Sequence, residues 1–283
     1  MKNSTMKKLF VIALSMIMTL ALAACGGSGS SDSEEGGKVA EIQEKGKIVM
    51  CTDAAWAPFE YIGADGEVTG VDVEIAKVIA EKLGVELEIT NISFDTISTV
   101  LSNGEADMSL ACITITDERK EQMDFSDPYT SVQQYMVVMA DDNETTVMEA
   151  LAGKAVGTHL GTTGDFLMSD EISTGVLANT GAENKQYKAL PDAALAMKSG
   201  ELTAIVCDSV LAENLVAANG DAFKCFPVKY ADGTEAEVEQ IGVAFNKGND
   251  DLVEAVNEVL AELIESGQID EFYVKHSEEA SKL

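Results

Sequence analysis

The sequence predicts an α/β fold built from two similar units, on three observations. Apolar strands alternate with helical periods in the order strand–helix–strand–helix–strand, the pattern of a sheet with parallel neighbours. The same rhythm restarts near residue 133. The chain has 283 residues, 46% hydrophobic content and four prolines, which suits two folded units of about 90–100 residues better than one large core.

The first unit opens with "KIVMCT" (47–52), an apolar run read as a buried strand. "DAAWAPFEY" follows as a loop crossing to a short extended piece, then "GADG" (63–66) as a turn. "VDVEIAKVIAEKL" (71–83) sets Val71, Ile75, Val78, Ile79 and Leu83 at helical spacing. "VELEIT" (85–90) is a second strand. Asp95 stands where it could cap a helix over "TISTVLSNG", striped by Ile97, Val100 and Leu101 and ended by Gly104. "ADMSLACI" (106–113) is a third strand.

In the second unit "QQYMVVMA" (133–140) is a strand, and Thr146 with Glu149 has capping-box spacing before a short helix. "KAVGTH" (154–159) is a strand running into "LGTTGDFL". Pro191 and Asp192 open a helix to Ser199. "TAIVCD" (203–208), "SVLAENLVAAN" and "FKCFPV" (223–228) read as strand, helix and strand. "IGVAFNKG" (241–248) is a last strand, after which Asn249 caps a long helix with Leu252, Val253, Val256, Val259, Leu260, Leu263 and Ile264 inward.

Charge narrows the partners. Against 19 Lys+Arg stand 49 Asp+Glu, a formal net charge of −30. Phosphates would repel such a surface and no basic stripe exists to release counterions, so nucleic acid is excluded. High net charge also favours a soluble monomer. At the start, Lys2, Lys7 and Lys8 precede an apolar stretch ending in "LAAC" at Cys25. That stretch is shorter than the roughly 20 residues that span a bilayer. It resembles a bacterial lipoprotein signal, with Cys25 taking the lipid. "GGSGSSDSEEGG" (26–37) then reads as a tether reaching about 20 Å. Cys51, Cys112, Cys207 and Cys225 fit neither a zinc site nor a CxxC motif. His159 and His276 make no metal pattern, and no P-loop is present, so no cofactor is expected.

Ligands bind beyond the C-terminal ends of strands in open α/β sheets. Four such loops carry suggestive residues: 53–56, 111–119, 159–165 and 207–208. Arg119 is the only arginine of the chain. It is either a surface residue on a short helix begun by Thr116 or a planar fork for a carboxylate, with the Thr114 hydroxyl nearby. "GTTG" (161–164) is a strand-to-helix turn whose N–H groups could seat an anion. Asp208 either caps the next helix or is a buried anion awaiting a cation. Trp56, the sole tryptophan, is core filler or a pocket wall. An arginine and N–H groups for a carboxylate, with an aspartate for an ammonium, together describe an α-amino acid zwitterion.

"CTDAAWAPFEY", "GVDVEIAKVIAEKLGV", "FDTISTVLSNGEADM", "TITDERKEQMDFSDPY", "VGTHLGTTGD", "AIVCDS" and "IGVAFNKGNDDLVEAVNEVLAELIESGQIDEFY" occur in one order. In that order the chain resembles the polar-amino-acid substrate-binding proteins of ABC importers, solute-binding protein family 3, over about residues 45–275. The "TITDERKEQMDFSDPY" run is the specific part. The resemblance implies a two-lobed periplasmic-binding-protein-like (type II) α/β fold with a hinge. Residues 45–132 plus 238–283 would form lobe 1 and 133–237 lobe 2, after a signal peptide (1–24) and a lipidated linker (25–44). It implies a free L-amino acid as ligand and permease transmembrane subunits as partners, at the outer face of the cytoplasmic membrane.

The resemblance further implies that Arg119 and Thr114 hold the ligand carboxylate with Thr163, and that Asp208 holds the ammonium. Trp56 would pack on the ligand, and Asp53, Phe94 and His159 would line its side-chain end. Ala111 and Cys112 stand where relatives have small or hydroxyl residues, and Gly164 where some carry a side chain. Two other functions share this scaffold. One is a cyclohexadienyl-dehydratase-like enzyme, which would need an acid/base pair. The other is a sensory ectodomain, which would ordinarily continue into a membrane helix or signalling domain.

Overall fold

The computed structural model describes residues 36–282. The expected leader, Cys25 and the linker up to residue 35 lie outside the described residues. Among those described, no helix is long and apolar enough to cross a membrane.

Helix α1 (Lys38–Lys45) precedes β1 (Lys47–Thr52). A small sheet of β2 (Ala55–Trp56), β3 (Glu60–Ile62) and β4 (Val68–Thr69) leads into α2 (Val71–Leu83). Then come β5 (Glu86–Asn91), α3 (Ile97–Ser102), β6 (Met108–Ser109), α4 (Asp117–Gln122) and β7 (Met123–Phe125). Strand β8 (Thr130–Met139) opens the second half, followed by β9 (Ala155–His159), α5 (Thr163–Ser173) and β10 (Glu183–Tyr187). Next are α6 (Leu190–Lys198), β11 (Ala204–Asp208), α7 (Ser209–Asn219) and β12 (Phe223–Pro227). The chain returns through β13 (Val238–Ile241) to β14 (Ala244–Asn246), α8 (Asp250–Ser266) and α9 (Gln268–Ala280).

These elements build two main sheets. The first has the order β5-β1-β6-β14-β7, with β1 parallel to both β5 and β6 and β14 antiparallel to β6 and β7. The second has the order β10-β9-β11-β8-β12, with β9 parallel to β10 and β11 and β8 antiparallel to its neighbours. Alternation of side chains across a strand gives the second sheet a core on each face. Val137, Ile205 and Cys207 point to one, with Leu190, Ala193 and Leu211. Met136, Val138 and Val206 point to the other, with Met148 and Met168.

Two strands join the halves. The start of β8 pairs antiparallel with β13, from Thr130↔Ile241 to Gln133↔Val238. The rest of β8 then enters the second sheet. Outgoing and returning chain therefore run side by side as one ribbon, and the fold is a two-lobed α/β structure with its hinge there.

Several local expectations change. The run 106–113 forms strand only at Met108–Ser109. It is apolar because it is buried on all sides, and beyond the strand Cys112 takes a left-handed conformation, φ 48°. That bend turns the Cys112 N–H onto the buried carboxylate of Asp72 at 3.1 Å. Asp95 caps nothing: it lies in a one-turn 3₁₀ segment (Phe94–Thr96) and accepts the Ser93 hydroxyl. The Thr146/Glu149 box is absent, because Glu149 accepts the Ala231 N–H at 2.9 Å instead. Asn249 precedes α8 but makes no side-chain cap. Ile264 is half exposed, whereas Leu252, Val256, Val259, Leu260 and Leu263 are buried. Strands β2, β4, β7, β10 and β13 are additional to those expected.

A candidate ligand-binding cleft between the lobes

The C-terminal ends of the parallel strands in both sheets face one another. Asp53 follows β1, and the loop after β6 carries Ala111, Cys112 and Thr114. His159 ends β9, and Asp208 ends β11. Short strand β2 adds Trp56, and the turn after β5 adds Phe94.

Arg119 is placed by its own helix. Thr116 caps α4, its hydroxyl accepting the Arg119 N–H at 3.2 Å. Arg119 is buried, at 9% exposure. Nη1 donates to the Thr114 carbonyl at 2.9 Å, and Nη2 crosses the cleft to the Gly161 carbonyl at 3.1 Å. Its Cζ atom lies over the Phe94 ring, 5.3 Å from the ring centre. Burial pulls its pKa down to about 10, while the charges of Asp208 and Glu239 oppose that fall. Among the described residues Arg119 forms no ion pair.

The Gly161 turn is held from beneath. The Asp165 carboxylate accepts the Gly161 N–H at 2.9 Å and is itself gripped by the amides of Asn184 and Gln186. Thr162 caps α5 through the Asp165 N–H. The Gly161 N–H is thus spent inside the loop, and the N–H groups offered by the first helical turn are those of Thr163 and Gly164. Gly164 is required here by close approach. A Cβ would meet the Gln134 Oε1 at 2.8 Å and the Val206 carbonyl at 3.0 Å.

Asp208 is 4% exposed and makes no side-chain bond to the helix it precedes. Of the two readings open in the sequence, the buried anion is the one observed. Its carboxylate accepts the Gln134 amide, and no cation pairs with it among the described residues. Burial raises its pKa to about 7, Glu239 adding to the rise while Gln134 and Arg119 pull it down.

An aromatic wall closes the far side. The rings of Trp56 and His159 stack at 5.5 Å, and Phe94 lies 5.8 Å from Trp56 and 6.0 Å from His159. His159 Nε2 is 3.5 Å from Asp53 Oδ2, and Asp53 also accepts the Phe94 N–H at 3.2 Å. Burial lifts Asp53 to about 6 and lowers His159. Behind them Glu60 is fully buried with both carboxylate oxygens unpartnered, and burial beside Asp72 raises it well above the usual range. The Trp56 Nε1 and Gln134 Oε1 atoms are likewise buried without partners.

All ten expected residues are buried, or partly buried in the case of Thr163. Direct contacts connect Arg119, Thr114, Thr163 and Asp208 on one side, through Gln134 and Glu239, and Asp53, Trp56, Phe94 and His159 on the other, with Phe94 beside the Arg119 guanidinium. Cys112 and Ala111 are buried in the loop after β6 and supply no hydroxyls. Three contributors escape a reading of motifs: Glu60, Gln134 and Glu239. The last two come from the crossing strands, Gln134 from β8 and Glu239 from β13; alternation of Glu235, Glu237 and Glu239 in "EAEVEQ" is a signal for the second alone. No cluster of three or more metal-ligating side chains occurs among the described residues.

Two α/β halves on a two-strand hinge, with opposite charges on facing walls, define a two-lobed solute receptor. The chain belongs to the bacterial extracellular solute-binding proteins, family 3, whose family model matches residues 48–279. It is 31% identical over 275 residues to a probable histidine-binding protein of Neisseria gonorrhoeae, covering 96% of each chain. It is also 31% identical over 272 residues to the arginine-binding extracellular protein ArtP of Bacillus subtilis (strain 168), covering 95% of this chain and 98% of that one. Among solved structures it resembles an ancestral arginine-binding protein bound to arginine, with TM-score 0.73, 34% identity, and 81% and 97% of the two chains covered.

Proposed function

We propose that this protein is the extracytoplasmic amino-acid receptor of an ABC importer, closing its lobes over a free L-amino acid and presenting it to the permease. One observation carries the reading. Arg119 and Asp208 are buried in one cleft with opposite charges, and neither has an ion-pair partner among the described residues. Unpaired buried charges are costly, and a zwitterion supplies both missing partners at once. The ligand carboxylate goes to Arg119, Thr114 and the first turn of α5 at Thr163. The ammonium goes to Asp208.

The side-chain end faces Trp56, Phe94, His159 and Asp53, with Ala111 and Cys112 as wall. The Asp53 carboxylate favours a polar or cationic side chain over an acidic one. Named ligands of the relatives, histidine and arginine, fit that preference. Lobe 1 comprises 45–132 plus 238–283 and lobe 2 comprises 133–237. The ligand bridges them, so binding shifts the hinge equilibrium towards the closed form. Cys25 carries a lipid that tethers the monomeric body to the outer face of the membrane.

Thermal-shift screening of ligand-stripped protein against the twenty amino acids, cystine and ornithine tests this, with calorimetry on the strongest responder. A basic or polar amino acid raising the midpoint with micromolar affinity, about −8 kcal/mol, is the expected result. No response from any amino acid overturns the reading.

A further inference from the structure

Glu239 lies at the hinge and takes no part in the amino-acid clamp just described, yet it holds that clamp's hydroxyls. Its Oε2 accepts the Thr114 hydroxyl at 2.9 Å and the Thr163 hydroxyl at 2.7 Å. Its Oε1 accepts the Gln134 amide at 3.3 Å. Thr114 belongs to the loop after β6 in the first half, and Thr163 opens α5 in the second. One carboxylate oxygen therefore joins the two halves through a hydroxyl from each.

A threonine hydroxyl has a single proton to donate. While Glu239 occupies these two, neither can serve a ligand carboxylate. Glu239 also has somewhere to go. It is half-buried and lines a cavity of about 640 Å³ with Thr114, Gln134, Thr163 and Tyr230, so the side chain can swing aside without leaving solvent contact. Its strand β13 is one of the two that must flex when the lobes part.

We infer that Glu239 is a resident competitor: its carboxylate stands in for that of the ligand, latches the lobes together in the empty receptor, and is displaced when an amino acid binds. The inference rests on the amino-acid reading for the displacement step, but not for the latch. The latch sets two properties. It populates a closed empty form, and it weakens apparent affinity by the fraction of molecules in which the seat is free. A latch closed nine-tenths of the time costs about tenfold in affinity.

The test compares wild type with Glu239→Ala and the isosteric Glu239→Gln. Small-angle scattering of the ligand-free full chain reports the lobe separation. Calorimetry with the amino acid that best stabilises the wild type reports affinity. Expected are a larger radius of gyration for empty Glu239→Ala than for empty wild type, equal radii when saturated, and binding about tenfold tighter in Glu239→Ala. Glu239→Gln, with a weaker acceptor, should fall between. Equal empty radii overturn the latch whatever the ligand. Weaker binding in Glu239→Ala also overturns it and makes Glu239 a ligand contact. If no amino acid binds the wild type, the functional reading falls, while scattering still decides the latch.

Discussion

Asp208 should make binding pH-dependent, and the size of the effect follows from its surroundings. In the empty cleft burial and the Glu239 charge hold its carboxyl at about 7. In the proposed complex an ammonium lies against it and keeps it ionised. The empty site therefore carries a proton below pH 7 that the complex must release. Affinity is full above about pH 7 and falls by up to tenfold for each pH unit below it. From pH 8 to pH 5 the dissociation constant should rise about a hundredfold, near 2.7 kcal/mol. Asp53, on the aromatic side of the same cleft and raised by burial to about 6, titrates in this range too. Asp208→Asn isolates the first component. It should bind more weakly at pH 8 by about 2–5 kcal/mol and lose the steepest part of the acid dependence. Calorimetry from pH 5 to 8.5, in buffers of different ionisation enthalpy, reads both affinity and proton release. A wild-type affinity flat from pH 8 to 5, or the same slope in Asp208→Asn, would refute the reasoning.

Other predictions concern the opposite pole and the frame. Arg119→Ala should weaken binding by about 2–5 kcal/mol, and Arg119→Lys should also fail, since an ammonium cannot reproduce the fork; near-normal calorimetric affinity in either removes Arg119 from the site. The raised carboxyls Asp53, Asp72 and Asp208 stabilise the empty fold fully below their unfolded values and lose that contribution as pH rises through 6–7. The ligand-free melting point should thus fall between pH 5 and 8, and the ligand-induced increase should grow, as scanning calorimetry in matched buffers can read. Gly70 has φ 136°, and a Cβ there would lie 2.1 Å from the Phe59 carbonyl. Gly70→Ala should cost on the order of 3 kcal/mol and lower the melting point by roughly 10 °C, without altering the affinity of the protein that remains folded.

What the sequence discloses depends on how local each cause is. Helices 71–83 and 209–219 and strand 47–52 match their observed bounds because a periodic apolar face and the residues that stop it lie within one short window. Strand β10 has no such face: "ENKQY" is a polar edge strand that exists because β9 is beside it. The run 106–113 errs the other way, since burial of every side chain mimics a strand while the backbone bends at Cys112 to reach Asp72. The same distinction governs the cleft. Arg119, Thr114, His159 and Asp208 can be nominated because each follows a readable strand. Gln134 and Glu239 meet only through the β8–β13 register, which joins residues more than a hundred apart. Glu60 looks like one more acid in an acidic chain, and nothing local marks it as fully buried.

That register also bears on why a chain with 19 Lys+Arg uses arginine at position 119 and nowhere else. The pocket is acidic, so the cation there is favoured by Asp208 and Glu239, yet burial still drags its pKa down to about 10. An arginine begins high enough to remain charged after that loss. A lysine begins lower, and the same burial would bring it towards the pH at which it must act. The two poles of the cleft therefore differ in kind. The guanidinium is a fixed charge across the physiological range, whereas Asp208 sits near neutrality. Of these two poles only the acid one responds to proton concentration across that range, and an arginine-to-lysine exchange would make both titrate together.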